Sequence, residues 1–162
     1  MLPQASLTVA MSEPRGPVYL TLPREILAQE PGDFSFTSPS VANPSIAGCP
    51  NSNVIDQAAD LLSKAKNPLI IASSYGQNPD DVADLADLAE RFAIPVVCYR
   101  PRYVCLPTSH PMHVGFEPAG RLGSADVILT LEADTPWIPS LHKLAPDAQV
   151  IQAGVDPLFA NY

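Results

Sequence analysis

Residues 66–75 read Lys-Asn-Pro-Leu-Ile-Ile-Ala-Ser-Ser-Tyr, KNPLIIASSY. A proline opens an unbroken apolar run, Leu69 to Ala72, and small polar residues close it. A strand apolar on both faces belongs in the middle of a sheet covered on each side. Behind it come a helical pattern from Pro79 to Ala93 and a second apolar run from Ile94 to Tyr99. Strand, loop, amphipathic helix and strand make one βαβ unit, the seed of a parallel sheet with right-handed crossovers. The local signals agree. Asn78 precedes the helix as a cap, Pro79 takes its first position, and Asp80 and Asp81 stand in the first turn, where carboxylates suit the macrodipole. Val82, Leu85, Ala86, Ala89 and Phe92 are expected to form the buried stripe, with Asp87 and Arg91 as an exposed ion pair four residues apart.

Outward from this unit the strand pattern recurs at Ala125–Leu131 (ADVILTL) and Gln149–Ala153 (QVIQA). Upstream, a helix is expected over Asn53–Lys66, capped by Asn53 with Asp56 three residues on, with Val54, Ala58, Leu61, Leu62 and Ala65 on one face. Together these spell an α/β fold, an open parallel sheet with helices on both faces. Residues 2–11 are helix-compatible, Val18–Leu22 reads as a short strand, and Arg24–Ala28 as one helical turn. From Gln29 to Pro50 periodicity disappears among Pro, Ser, Gly and Asn, and so long a loop is uncommon inside one domain. The expected organisation is therefore a tail of another unit over 1–28, a linker over 29–50 and the sheet domain over 51–162. Arg100–Gly123 reads as loop, and Glu132–Pro146 as a loop holding one short helix.

Composition narrows the partners. The 162 residues suffice for one real core, and 46% hydrophobic content fits a globular chain. Nineteen prolines imply many sharp connections. A net charge of −8 with no Lys/Arg cluster argues against nucleic acid and anionic membrane surfaces. No apolar run approaches the ~20 residues that span a bilayer. Cys49, Cys98 and Cys105 form a sparse set without CxxC, which reads as reduced thiols in a cytoplasmic protein.

Candidate chemistry is incomplete. The Ser73–Gln77 loop follows a strand and opens a helix, so it is either a phosphate-binding turn or a plain connection; it lacks GxGxxG, and Asp80 and Asp81 oppose an anion. His110 and His113, in HPMH, have no acidic or cysteine ligand set beside them, and no serine lies in a nucleophile elbow. Cys98 reads as a core residue and Cys105 as more exposed, without an activating base. Trp137 either stacks on a ring, faces a partner or packs its own loop. Asp156 is either a ribose ligand beyond the fourth strand or a turn residue before Pro157.

In order, several segments carry a resemblance: Arg15–Arg24 (RGPVYLTLPR), Lys66–Ala72, Ala93–Val97 (AIPVV), His110-Pro111, Ser124–Leu129 (SADVIL) and Val155-Asp156-Pro157. Nearly the whole chain resembles thiamine diphosphate-dependent enzymes of the acetolactate synthase-like group. The first segment is similar to the end of their pyrimidine-binding domain and the rest to their central, Rossmann-like domain. The resemblance implies decarboxylation or carboligation of 2-oxo acids by an intact parent, a transferase or lyase. It also implies a catalytic glutamate before residue 1 and a magnesium–diphosphate motif after residue 162. Thiamine diphosphate and magnesium would then bind outside this chain, which would have no catalytic residue and no metal ligand of its own. Partners would be the pyrimidine- and diphosphate-binding domains, within a homodimer or homotetramer. FAD is the candidate ligand of the central domain, with Ser74, Gly76, His110, Gly115 and Asp156 as candidate FAD or nucleotide contacts. Ser73-Ser74-Tyr75-Gly76 stands where the group has a glycine-rich loop, so tight flavin binding is not expected. The alternative is a stand-alone nucleotide-binding or protein-interaction module without catalysis.

Overall fold

β1 (Pro68–Ala72) lies between β2 (Val96–Cys98) and β3 (Val127–Leu131), and β4 (Gln149–Ala153) flanks β3. All pairings are parallel, with Ile70 opposite Val96 and Leu129, and Leu129 opposite Ile151. The computed structural model describes residues 2–30, 32, 33, 35 and 44–156, within two compact units, Met1–Cys49 and Pro50–Tyr162. Pro157 and the middle of the expected linker lie outside the described residues.

The all-apolar reading of β1 holds: Leu69 to Ala72 are each at most 2% exposed. Their side chains alternate between two cores. Ile70 and Ala72 join Val96, Cys98, Leu129 and Leu131 beneath α4 (Pro79–Phe92), with Leu85 and Ala89 from the helix. Leu69 and Ile71 join Val97, Tyr99 and Ile128 on the opposite face, closed by Leu122 of α5 (Ala119–Leu122). Helices therefore cover both faces of an open parallel sheet.

α4 begins as its sequence dictates, with the Asn78 side chain accepting from Asp80 N at 3.3 Å. It ends where Ala93 turns left-handed at φ 52°. Asp87 and Arg91 pair at 3.2 Å on the wet side. Phe92 departs from the expected stripe and is 60% exposed. It borders an open groove with Leu88, Arg91 and Leu129, which no described element fills.

The cap of α3 (Ser52–Lys64) lies two residues earlier than expected, at Asn51, whose side chain accepts from Asn53 N at 3.0 Å. Only its C-terminal half docks: Leu62 packs on the α4-side core, whereas Val54 and Ile55 are exposed.

The chain from β2 to β3 contains more order than a loop. Residues 112–115 run parallel along the free edge of β2, with Val96 N donating to Met112 O at 2.8 Å and Cys98 N to Gly115 O at 3.1 Å. The short helix forms at α5, not within 132–146. That later segment instead makes a turn in which His142 N donates to Ile138 O and His142 Nδ1 accepts from Ile138 N.

In the first unit, α1 (Leu2–Met11) and α2 (Arg24–Leu27) form where the helical readings placed them. The expected strand at Val18–Leu22 does not. No ladder reaches it among the described residues, Pro17 and Pro23 bound it without N–H donors, and all five residues are exposed. Further on, the chain folds back, with Glu13 N donating to Ser45 O and Ser45 N to Ser12 Oγ.

Asp126 fastens the entry side of the sheet. Its carboxylate accepts from Lys66 N at 2.7 Å and Asn67 N at 2.9 Å, while its backbone carbonyl accepts from Gln149 N. The Lys66 N–H, followed by that of Asn67, holds the carboxyl below the usual carboxylate range. A depressed folded pKa stabilises above the ordinary range and loses that contribution as pH falls through it. Asp126→Ala should cost about 1–2 kcal/mol at pH 7, hydrogen bonds to a charged group discounted for exposure. Urea unfolding should show the gap narrowing at a pH well below ~4; an undiminished gap there would contradict this role.

Candidate functional site

Open parallel sheets expose their strand exits at the carboxyl edge, where ligands bind. Here the loop after β1 continues the ladder for two residues: Ser73 N donates to Leu131 O at 3.2 Å and Ser74 N to Glu132 O at 3.0 Å. Ser73 Oγ donates to Tyr99 O at 2.6 Å. A single 3₁₀ turn, Tyr75–Gln77, then leads to the Asn78 cap.

Residues 102–105 lie over this turn. Arg102 N donates to Ser73 O at 2.9 Å, and a Cβ placed on Gly76 would fall inside the Val104 carbonyl group, 2.6 Å from its carbon. Gly76 therefore serves close backbone packing, at an ordinary φ of −78°. Cys105 corrects the reading of an exposed thiol, being only 1% exposed. Its thiol donates to Ser73 O at 3.4 Å and to Tyr103 O at 3.5 Å. The neighbouring Cys98 thiol foremost, and the backbone of Gly76 and Tyr75 after it, pull the Cys105 thiol down to about 7 against its burial. The Cys98 thiol is pushed up, chiefly because Cys105 holds its proton.

The N–H groups of Ser73 and Ser74 are thus engaged in the ladder, whereas a phosphate cradle needs such groups free. The local field agrees. Burial raises the Tyr75 phenol, and Asp81, Asp84 and Glu132 raise it further, so an anion there would meet the same negative charge. Glu132, at φ 47°, turns its carboxylate onto Val155 N at 3.1 Å and joins the exits of β3 and β4. Arg102 and Asp134 pair at 2.6 Å across the exits of β2 and β3.

The five candidate ligand contacts fall into three places. Ser74 and Gly76 stand together at the exit of β1, with Ser74 Oγ buried and lacking a hydrogen-bond partner. His110 and Gly115 lie outside β2. The His110 ring accepts from Met112 N through Nδ1 and turns Nε2 toward Glu90, 3.9 Å away. Gly115, at φ 111°, closes the edge pairing with Cys98. Asp156 lies past β4, four strand spacings or roughly 19 Å from the 112–115 edge. Among the described residues no three His, Cys, Asp or Glu side chains are grouped to hold a metal ion. Trp137 packs on the core opposite α4 and also walls a cavity of about 410 Å³ with Thr130, Pro136, Val150 and Gln152.

The residues that sequence reading missed are Val104 and Cys105. The available signal was the Val-Cys-Leu run at 104–106, a short apolar patch inside an otherwise polar loop. Gly76→Ala should destabilise the protein by about 2–3 kcal/mol, because the obstructing atoms are backbone and cannot swing aside. Equilibrium unfolding measures this; a neutral substitution would show that residues 102–105 do not bear on the turn.

Comparison with known proteins follows the same lines. Residues 55–161 match the model of the thiamine pyrophosphate enzyme central domain. Over 159 residues the chain is 30% identical to oxalyl-CoA decarboxylase of Escherichia coli K12, covering 94% of this chain and 28% of that protein. Over 170 residues it is 27% identical to the acetolactate synthase large subunit of Corynebacterium glutamicum, covering 96% of this chain and 27% of the relative. The chain thus spans little more than a quarter of the length of these relatives. The benzoylformate decarboxylase structure from Polynucleobacter necessarius superimposes with a TM-score of 0.73 at 22% identity, over 94% of this chain and 30% of that one, which shows a shared fold. The chain belongs to the thiamine pyrophosphate enzymes, and residues 55–161 are their central domain.

Proposed function

We propose that the chain is the scaffold domain of a thiamine diphosphate-dependent enzyme that decarboxylates or ligates 2-oxo acids, and that it acts in the cytoplasm within a homo-oligomer. The observation that carries this reading is the central-domain match over 55–161, in a chain covering only 28% of its E. coli relative. Thiamine diphosphate brings the carbanion chemistry of such enzymes. The described residues do not fit that cofactor and its magnesium ion, since no acidic cluster is present to hold the metal. Both are assigned to other domains of the parent, and the described residues contribute support between those domains.

FAD is assigned no tight site. The ladder-bonded N–H groups of Ser73 and Ser74 and the Val104 carbonyl against Gly76 support this. In this reading Ser74, Gly76, His110, Gly115 and Asp156 keep the positions of a nucleotide edge while shaping strand exits.

The test is to express the genomic reading frame that contains these residues and assay 2-oxo acid consumption. The expected activity disappears on removal of thiamine diphosphate and magnesium and returns when both are restored. A product that binds no thiamine diphosphate in calorimetry would contradict the proposal.

A further inference from the structure

The entry edge of the sheet, opposite the strand exits, carries a cleft that the proposed function does not use. It has a volume of about 210 Å³ and lies between the start of β1, the turn after α4 and the end of α5. Lys66 and Arg121 line it with Asn67 and Ser124, and its apolar wall includes Leu69 and Pro95. No carboxylate lines it. The groove beside Phe92, by contrast, has Asp84 and Asp87 in its lining, and the cavity beside Trp137 has Asp134. In a chain of net charge −8, a cleft lined by two cations and no anion is an exception.

Both cations are left unpaired by the surrounding structure. Arg15, Lys64, Arg91 and Arg102 each pair with a carboxylate, whereas Lys66 Nζ and the Arg121 guanidinium join no ion pair among the described residues. Their backbones are nevertheless fixed. Lys66 N and Asn67 N donate to the Asp126 carboxylate at 2.7 and 2.9 Å, which turns that carboxylate onto the backbone. At the other wall the Arg121 carbonyl accepts from Ser124 N at 3.1 Å, Ala125 N at 3.0 Å and Ser124 Oγ at 3.0 Å.

We propose that this cleft binds a small divalent oxyanion, of the size and charge of phosphate, between Lys66 and Arg121. A guanidinium and an ammonium supply charge-assisted N–H donors, which hold such oxygens more strongly than neutral donors do. The volume suits a small ion, since pockets for drug-sized ligands run from about 300 to 1,000 Å³. The site lies at the opposite edge from the seam over the β1 exit, so closure of that exit to nucleotides leaves it open. A bound oxyanion bridges the start of β1 to the end of α5 and stabilises the folded chain by mass action. Nothing in this site depends on the activity of the parent.

The experiment titrates the full isotope-labelled chain with sodium phosphate at neutral pH and follows the amide shifts by NMR, with sodium chloride adjusted to hold ionic strength constant. The amides of Lys66, Asn67, Arg121 and Ser124 should shift together and saturate on one curve, with a dissociation constant on the order of 1 mM. The double variant Lys66→Gln/Arg121→Gln should weaken binding by roughly tenfold or more. Each single variant should weaken it severalfold, so the test stands even where the double variant does not fold. Arg24→Gln, which removes one exposed positive charge from the first unit, should leave the affinity unchanged. Shifts that rise linearly with phosphate and never saturate would overturn the proposal. So would an equal response to chloride alone, or an affinity that the Lys66→Gln and Arg121→Gln variants leave unchanged.

Discussion

The descent of residues 102–105 onto the loop after β1 is the contact on which the carboxyl edge depends. Arg102 N on Ser73 O, the Val104 carbonyl over Gly76 and the Cys105 thiol donating to Ser73 O form one continuous seam. Each such bond contributes on the order of 1 kcal/mol net. Freeing the N–H groups of Ser73 and Ser74 would cost about 2 kcal/mol, roughly thirtyfold in affinity, before any phosphate contact formed. The same seam buries Cys105 and Leu106 into the core beneath α4. Gly76, in the candidate nucleotide loop, is part of that packing.

The sheet suits the scaffold role proposed for the chain. Strands β1 and β3, at its centre, are buried on both faces, and Asp126 ties their entries together. In the proposed parent a slab of this kind would hold neighbouring domains in register. Its flanks are less complete. β4 is largely exposed, Phe92 borders an unfilled groove, and the N-terminal half of α3 leaves Val54 and Ile55 in solvent. In the proposed parent these are the places where other domains have room to pack.

Where the pattern was dense, the fold was legible. Leu69–Ala72 announced a central strand, Asn78-Pro79 announced the start of α4, and QVIQA matched β4 residue for residue. The misreadings share a cause, since each depended on what lies opposite in space. Val18–Leu22 has strand residues and no partner strand among the described residues. Phe92 has the right helical phase and nothing packed above it. Cys105 looked like a loop thiol because its burial comes from a turn some thirty residues earlier in the chain. Ser74 and Gly76 were correctly placed at the β1 exit, yet only the position of the Val104 carbonyl reveals that the exit is covered.

The central claim is that this edge is closed scaffold. Equilibrium dialysis of the purified chain against FAD and against ADP tests it directly. The account predicts no saturable binding of either nucleotide at micromolar protein. Stoichiometric binding of one of them, weakened by Gly76→Ala, would contradict it.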